Sequence, residues 1–305
     1  MASISVVIPA FNEENGVGDT VRAVRKAFET TSHDLEIIVV DDCSTDRTRQ
    51  FAEEAGAYVI THPRNAGYGN SISTGVRNAR HPWIGITDAD GTYPVEELPG
   101  MLEETVSRDL DMLVGARQGK HYRGSAIKSW VRVAFKLLSE FTVGQKIPDI
   151  NSGLRVMRRD MLLRFAPVMS GGFSYTTTIT IIAFLTYHFV DYRPIAYHPR
   201  IDASHVRYVR DTLRAAQIII MTILFFNPIK LFILECLFAL LCGCVIAVLA
   251  FLIPQVAPAL LILAVTIAAV NTLAGLGFLA EQRRIQYSGI AFPERGYVPL
   301  DRRGP

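Results

Sequence analysis

From Leu231 to Ile253 the chain carries a single charged residue, Glu235, and from Val256 to Ala280 it carries none. Each run exceeds the ~20 apolar residues that cross a bilayer core, so both are expected to be membrane-spanning helices. Pro254-Gln-Val-Ala-Pro258 between them is short enough for a tight helical hairpin. Lys230 precedes the pair and Arg283-Arg284 follow it, while the turn has no basic residue, so the positive-inside rule places both hairpin ends in the cytoplasm. Glu235 falls in the first turns of its span, where it can reach the interface and favour the positive helix end; a proton-relay role is the alternative. Met1-Ala-Ser3 has no basic leader, so the expected anchor is C-terminal only.

With 305 residues, half of them hydrophobic, a globular domain of ordinary size remains beside the hairpin. Apolar, β-branched runs at residues 3–8, 35–40, 57–61, 83–87 and 111–114 read as strands. Helices are expected at 17–28, from about Thr45 with Ser44 as its cap, at 70–78 and at 95–107. This alternation predicts a mostly parallel α/β sheet covered by helices, with ligands beyond the carboxyl ends of its strands. Polar segments fall there, among them Asp88-Ala-Asp90-Gly91 after the run Trp83-Ile-Gly-Ile-Thr87. Alternate residues of extended backbone point to one side, so Asp88 and Asp90 can present two carboxylates to one hard cation, as a metal-bound diphosphate requires. The plainer alternative is a strand that simply ends in turn chemistry at Asp90-Gly91.

The segments Val7-Ile-Pro-Ala-Phe-Asn-Glu-Glu14, Val40-Asp-Asp-Cys-Ser-Thr-Asp46, Asn65-Ala-Gly-Tyr-Gly69, Thr87-Asp-Ala-Asp-Gly-Thr-Tyr-Pro94 and Asn151-Ser-Gly-Leu-Arg-Val-Met-Arg158 span roughly the first half of the chain. Together they resemble a family 2 glycosyltransferase of the dolichol- or polyprenyl-phosphate mannose and glucose synthase type. The resemblance implies a GT-A-like fold and a nucleoside pocket lined by Pro9, Phe11, Glu13 and Asp42. It further implies that Asp88 faces the ribose and that Asp90 ligates Mg2+ or Mn2+ on the diphosphate. Arg117 and Arg132 match positions that contact the acceptor phosphate in similar synthases, and Ser152 and Arg155 are further candidates; a salt bridge is the alternative for each arginine. Several relatives place Gln two residues after the metal Asp where this chain has Thr92, which leaves the remaining metal ligands open.

The net charge of +2 and the absence of a basic run with interleaved aromatics give no warrant for nucleic-acid binding. Cys43, Cys236, Cys242 and Cys244 have no ligand spacing and read as small apolar residues. Arg207, Arg210 and Arg214 recur at helical spacing ahead of an apolar run at 218–226 that is too short to span a membrane. That pattern suits an amphipathic helix lying at the interface, or a core helix with a solvated basic face. The expected layout is therefore a cytosolic GT-A-like domain at 1–203, an interfacial amphipathic helix region at 204–229, a transmembrane hairpin at 230–281 and a cytosolic tail at 282–305.

The expected reaction passes a hexose from GDP-mannose or UDP-glucose to a polyprenyl phosphate at the cytosolic membrane face, with inversion. A phosphate acceptor is already ionised near neutral pH, so no general base is needed, and the scattered histidines are consistent with that. A hydroxyl-bearing lipid acceptor would need a base such as Asp149, and a non-catalytic membrane protein of the same fold would need no cation. Gly67-x-Gly69 has Ile72 where a dinucleotide fingerprint requires Gly, which disfavours an oxidoreductase. Expected partners are the nucleotide sugar, the lipid phosphate and the bilayer, with assembly of copies through the hairpin also open.

Overall fold

A computed structural model of the chain describes residues 1–118, 136–169, 171–172, 174–198, 228–253, 255 and 257–287. Arg132, the basic segment from Arg207 to Arg214 and residues 288–305 lie outside the described residues. The chain divides into two compact units between residues 218 and 219.

The first unit is built on a seven-stranded sheet in the order β3-β2-β1-β4-β6-β5-β7. The strands are β1 (Ser3–Ala10), β2 (Asp34–Asp41), β3 (Tyr58–Thr61), β4 (Trp83–Ile86), β5 (Met112–Gln118), β6 (Arg155–Arg158) and β7 (Val190–Ala196). All neighbours pair in parallel except β6, which runs antiparallel to both β4 and β5. Central strands of such sheets are apolar on both faces, and in β1 Ile4, Val6, Val7 and Ile8 are fully buried. Helices α1 (Val17–Phe28), α2 (Thr48–Glu54), α3 (Tyr68–Asn78), α4 (Leu98–Ser107), α5 (Arg159–Phe165) and α6 (Tyr175–Leu185) cover the sheet. On α1 the buried Val17, Val21, Val24 and Phe28 recur every three or four residues, one helix face laid against Ile4, Val6 and Ile8. The opposite face of β1 meets α3, where Val7 packs so tightly on Gly75 that an added Cβ would lie 2.3 Å from Cγ1.

Parallel pairing brings the carboxyl ends of β1, β2, β4, β5 and β7 to one edge, and antiparallel β6 delivers its preceding loop there as well. The β1–β2 ladder runs on to Ala10↔Asp41, whereas β1–β4 pairing stops at Val7↔Ile86. Pro9 supplies the reason. The Val7 carbonyl accepts from the Thr87 N–H at 3.4 Å, so the next residue facing β4 is Pro9, which has no N–H to continue the ladder. The sheet therefore parts between β1 and β4, where its strand order changes direction, and ligands bind at such a point.

At the opposite edge Glu36 is 8% exposed. Ser5 Oγ donates to its Oε2 at 2.5 Å, the Arg80 N–H donates to Oε2 at 2.9 Å, and Arg80 Nε donates to Oε1 at 2.7 Å. Burial alone would raise this carboxyl's pKa, but the Ser5 and Arg80 hydrogen bonds outweigh it and hold the pKa below its ordinary value. A lowered folded-state pKa stabilises above the unfolded value and the gain is lost as pH falls through the folded one. Replacing Glu36 with Ala is expected to cost about 2–3 kcal/mol at neutral pH. In thermal unfolding the gap from the parent protein should shrink below about pH 4.

Two expectations about local structure are corrected. Helix α2 starts at Thr48, not near Thr45, and Ser44 does not cap it: Arg47 stands at the N-cap without a side-chain bond, and Ser44 Oγ accepts the Asn12 N–H at 2.9 Å. The strand β6 falls in a segment read only as a motif, because four residues bounded by arginines carry little strand signal.

The second unit contains α7 (Pro228–Leu252) and α8 (Ala257–Tyr287). Pro228 opens α7 at a first-turn position where its missing N–H costs nothing, and α8 runs past the expected end at 281 through Arg283. Within them Glu235–Leu252 and Pro258–Gly277 are long and apolar enough to cross a membrane, and none of either span is buried. The helices pack on each other as an antiparallel pair: a Cβ on Gly275, late in α8, would lie 3.9 Å from Phe232 Cε1, early in α7. Their outward faces, with Leu240 68%, Phe251 84% and Leu273 69% exposed, are aliphatic surfaces that water would not favour.

Candidate active site

The loops after β1 and β2 are laced to each other by side chains. Asn12 Oδ1 accepts the Thr45 N–H at 2.8 Å, Thr48 Oγ1 accepts the Glu13 N–H at 2.8 Å, and the Arg47 N–H donates to Glu14 Oε2 at 3.1 Å. Asn12 and Cys43 are held with φ of 54° and 65°, a left-handed conformation that costs energy in a residue such as Cys and persists only where surrounding bonds over-determine it. Pro9, Glu13 and Asp42 are buried in this floor and Phe11 is half-buried beside them.

Asp42 is engaged on both oxygens. Its Oδ1 lies 2.7 Å from His62 Nδ1 and accepts the Ala66 N–H at 2.8 Å, while Oδ2 accepts the Gly67 N–H at 2.7 Å. Sequence reasoning singled out Asp42 but missed His62, which reaches onward to Thr74 Oγ1 at 2.9 Å.

The acid pair follows β4 directly. Asp90 is 5% exposed, and its Oδ1 accepts both the Thr92 N–H at 3.1 Å and the Thr92 hydroxyl at 2.6 Å. Thr92 thus orients the Asp90 carboxylate. Helix α1 braces the same turn from behind: Thr20 Oγ1 donates to the Ala89 carbonyl at 3.1 Å, and a Cβ on Gly16 would lie 2.6 Å from that oxygen. Asp88 accepts a 2.9 Å hydrogen bond on Oδ1 from the Tyr68 hydroxyl. Desolvation and the neighbouring Asp88 charge raise the Tyr68 phenol well above its ordinary pKa, so it stays a hydrogen-bond donor. The carboxylate also lies against the loop before β6, where a Cβ on Gly153 would be 3.0 Å from Oδ1.

Asp88 therefore joins the segment that carries Tyr68 to the loop before β6. Tyr93 accepts the Gly153 N–H on its hydroxyl at 2.7 Å and packs edge-on against Tyr197 at 5.3 Å. The Arg117 guanidinium lies 5.4 Å from the Tyr197 ring centroid. It makes a two-pronged ion pair with Asp149, Nε to Oδ2 at 2.8 Å and Nη2 to Oδ1 at 2.9 Å, and Asp149 Oδ1 also accepts the Asn151 N–H at 3.2 Å. Asp149, 2% exposed at its side chain, is thus the anchor of Arg117 and of the 151–153 loop.

Arg155 is fully buried, with Nε donating to the Ser152 carbonyl at 2.7 Å, Nη2 to the Ile150 carbonyl at 2.9 Å and Nη1 to Thr180 Oγ1 at 2.7 Å. Burial lowers its pKa. These bonds spend the guanidinium on holding the loop, so direct contact with an acceptor phosphate is closed to it while they stand. Ser152 is also fully buried, and its hydroxyl has no hydrogen-bond partner among the described residues. The structure brings together Pro9, Phe11, Glu13, Asp42, Asp88, Asp90, Arg117 and Ser152 at one sheet edge; Arg132 lies outside the described residues.

Among the described residues no three His, Cys, Asp or Glu side chains converge on a point, so no complete protein cage for a cation is present. Two carboxylates after β4 nevertheless suit Mg2+ or Mn2+, hard ions that take one or two protein oxygens and complete their shell with phosphate oxygens and water.

Comparison with known proteins agrees with this architecture. The chain is 34% identical over 219 residues to the low-salt glycan biosynthesis hexosyltransferase Agl6 of Haloferax volcanii, covering 70% of this chain and 52% of that protein. It is 28% identical over 194 residues to an undecaprenyl-phosphate 4-deoxy-4-formamido-L-arabinose transferase of Pseudomonas fluorescens, covering 59% and 56%. It is 33% identical over 169 residues to a dodecaprenyl-phosphate galacturonate synthase of Rhizobium johnstonii, covering 52% and 48%. The chain thus spans about half the length of these curated relatives. Among solved structures, glucosyl-3-phosphoglycerate synthase from Mycobacterium tuberculosis, in complex with Mn2+, UDP-glucose and phosphoglyceric acid, has the same fold. The TM-score is 0.60 at 17% identity, over 72% of this chain and 79% of that one. The model of the family described as "Glycosyl transferase family 2" matches residues 5–165, the stretch that runs from β1 through the acid pair and the 151–153 loop, and with more than half of its length matched the chain belongs to that family.

Proposed function

We propose that this chain transfers a hexose from GDP-mannose or UDP-glucose to a polyprenyl phosphate at the cytosolic membrane face. The observation that carries the reading is the meeting, at one sheet edge, of the Asp88–Asp90 turn with Arg117. Carboxylates suit a metal-bound diphosphate, and the positive charge of a guanidinium suits a phosphate. Relatives named for undecaprenyl- and dodecaprenyl-phosphate substrates, and two helices long enough to cross a membrane, support a lipid acceptor. On this reading residues 1–203 form the cytosolic transferase domain, 204–229 an interfacial region, 230–281 the transmembrane hairpin and 282–305 a cytosolic tail.

In the proposed site Pro9, Phe11, Glu13 and Asp42 line the nucleoside pocket, Asp88 meets the ribose, and Asp90 holds Mg2+ or Mn2+. A bound divalent ion would supply positive charge where the departing nucleoside diphosphate gains negative charge. Arg117, with Arg132 and Ser152, holds the lipid phosphate in line with the anomeric carbon, and an oxygen already ionised at neutral pH displaces the nucleotide with inversion. A hydroxyl acceptor would need Asp149 as its base. The ion pair with Arg117 occupies both Asp149 oxygens and favours the ionised phosphate instead.

The test is a matrix of GDP-mannose and UDP-glucose against undecaprenyl phosphate, dolichyl phosphate, unphosphorylated polyprenol and diacylglycerol, read by product mass. A hexosyl monophosphate lipid formed only from the phosphorylated acceptors is the expected product. Glycosylated polyprenol or diacylglycerol in its place would transfer the reading to the hydroxyl class.

A further inference from the structure

We propose that residues 62–69 form a single clamp that sets both nucleotide-side carboxylates, with Tyr68 as the residue that positions Asp88. This rests on the reading of Asp42 and Asp88 as nucleotide-sugar contacts and adds a residue to that site.

The segment is tied down at each end. At its start, His62, Ala66 and Gly67 all bond to the Asp42 carboxylate. At its end, Gly67 takes φ +99°, a conformation open to glycine, and the Gly171 carbonyl accepts the Gly69 and Asn70 N–H groups at 3.0 and 3.2 Å. These are the orphan N–H groups at the start of α3, so the helix is capped by the 171–172 loop and not by a side chain of its own. The fit is close: a Cβ on Gly67 would lie 2.6 Å from the Gly171 oxygen. Tyr68, fixed between these two anchorages, places its hydroxyl on Asp88 Oδ1 at 2.9 Å.

The terminal torsion of an aspartate is broad, and a bond from a fixed phenol narrows it. Asp88 then meets its ligand with the carboxylate plane already chosen, which lowers the ordering cost of binding. Because Asp42 and Asp88 are bound to one short segment, displacement of that segment moves both. Tyr68 acts through Asp88 and is a positioning residue.

The experiment measures binding of UDP and GDP, each with MnCl2, to the full chain in detergent by calorimetry. Tyr68→Phe keeps the ring and removes only the hydroxyl, so the unfolding midpoint should fall by no more than the several degrees expected for loss of one buried hydrogen bond, and the fold should stay intact. Affinity for the nucleotide that the parent binds should fall about tenfold, the scale of one hydrogen bond to a charged group. In an Asp88→Asn background the same substitution should change affinity less than about twofold, since the partner it positions has lost its charge. Equal losses in both backgrounds would mean that Tyr68 only packs, and would overturn the clamp. So would full affinity in Tyr68→Phe while Asp88→Asn binds weakly, an outcome that leaves the nucleotide-sugar reading standing. Parent-like affinity in Asp88→Asn, or no binding of either nucleotide by the parent, would overturn that reading and the clamp together.

Discussion

Replacing Asp90 with Asn is expected to reduce sugar transfer at least about 100-fold, the scale on which a single group that stabilises developing charge contributes to turnover. The substitution is chosen for what it leaves in place. Asp90 Oδ1 accepts from the Thr92 N–H and hydroxyl, and an Asn carbonyl oxygen can accept both, so the turn keeps its shape. Behind it, Gly16 and Thr20 contact the backbone of Ala89 and do not sense the side-chain charge. What is lost is the negative charge that a divalent ion requires. Thermal unfolding and membrane extraction should therefore match the parent, while Mn2+-dependent binding of UDP or GDP falls with turnover. Parent-like activity in Asp90→Asn would remove this residue from the metal site.

How far the sequence disclosed this arrangement depended on whether the signal was local. Asp88 and Asp90 stood out because an apolar run that ends in paired acids is written in eight residues, although the strand itself stops at Ile86 and both acids lie beyond it. The same holds for α1, whose buried Val17, Val21, Val24 and Phe28 repeat at helical spacing within twelve residues. The apolar runs at 231–253 and 256–280 needed only length and charge. The burial of Arg155 was not legible because its surroundings come from elsewhere: Thr180, on a helix that begins at Tyr175, and the carbonyls of Ile150 and Ser152 close over it only once β6 is paired between β4 and β5. Ser44 followed the same pattern, since a helix-cap residue and a loop-lacing residue look alike until Asn12 is brought beside it. Tyr68 was inside a quoted segment, yet nothing in that segment says that it meets a carboxylate after β4. Local rules thus found the acids, and long-range packing decided which arginines and hydroxyls serve them.

Arg117 is where that distinction has the largest consequence for the acceptor. Arg117→Lys is expected to lower kcat/KM for polyprenyl phosphate by about 10- to 100-fold, the range of one or two charged hydrogen bonds, with little change in nucleotide affinity. Lysine preserves the charge but offers a point where arginine offers a planar fork, and the Asp149 pair, Nε to Oδ2 and Nη2 to Oδ1, is the geometry that a fork makes. Arg117→Ala is a different experiment. It leaves Asp149, with 2% of its side chain exposed, buried without its bonded cation, and removal of one partner from a buried pair typically costs about 3–5 kcal/mol. Its loss of activity would therefore mix misfolding with lost phosphate contact. The lysine variant separates the two: the unfolding midpoint reports on the pair with Asp149, and the ratio of acceptor to nucleotide effects reports on the phosphate. If Arg117 serves only the 149–153 loop, the Lys variant should lose stability and weaken both substrates alike. If it holds the lipid phosphate, the acceptor's kcat/KM falls by the stated factor while the Kd for the nucleotide stays within about twofold, because Asp42 and Asp88 are bonded to the 62–69 segment and Asp90 to Thr92, and none of these bonds involves Arg117.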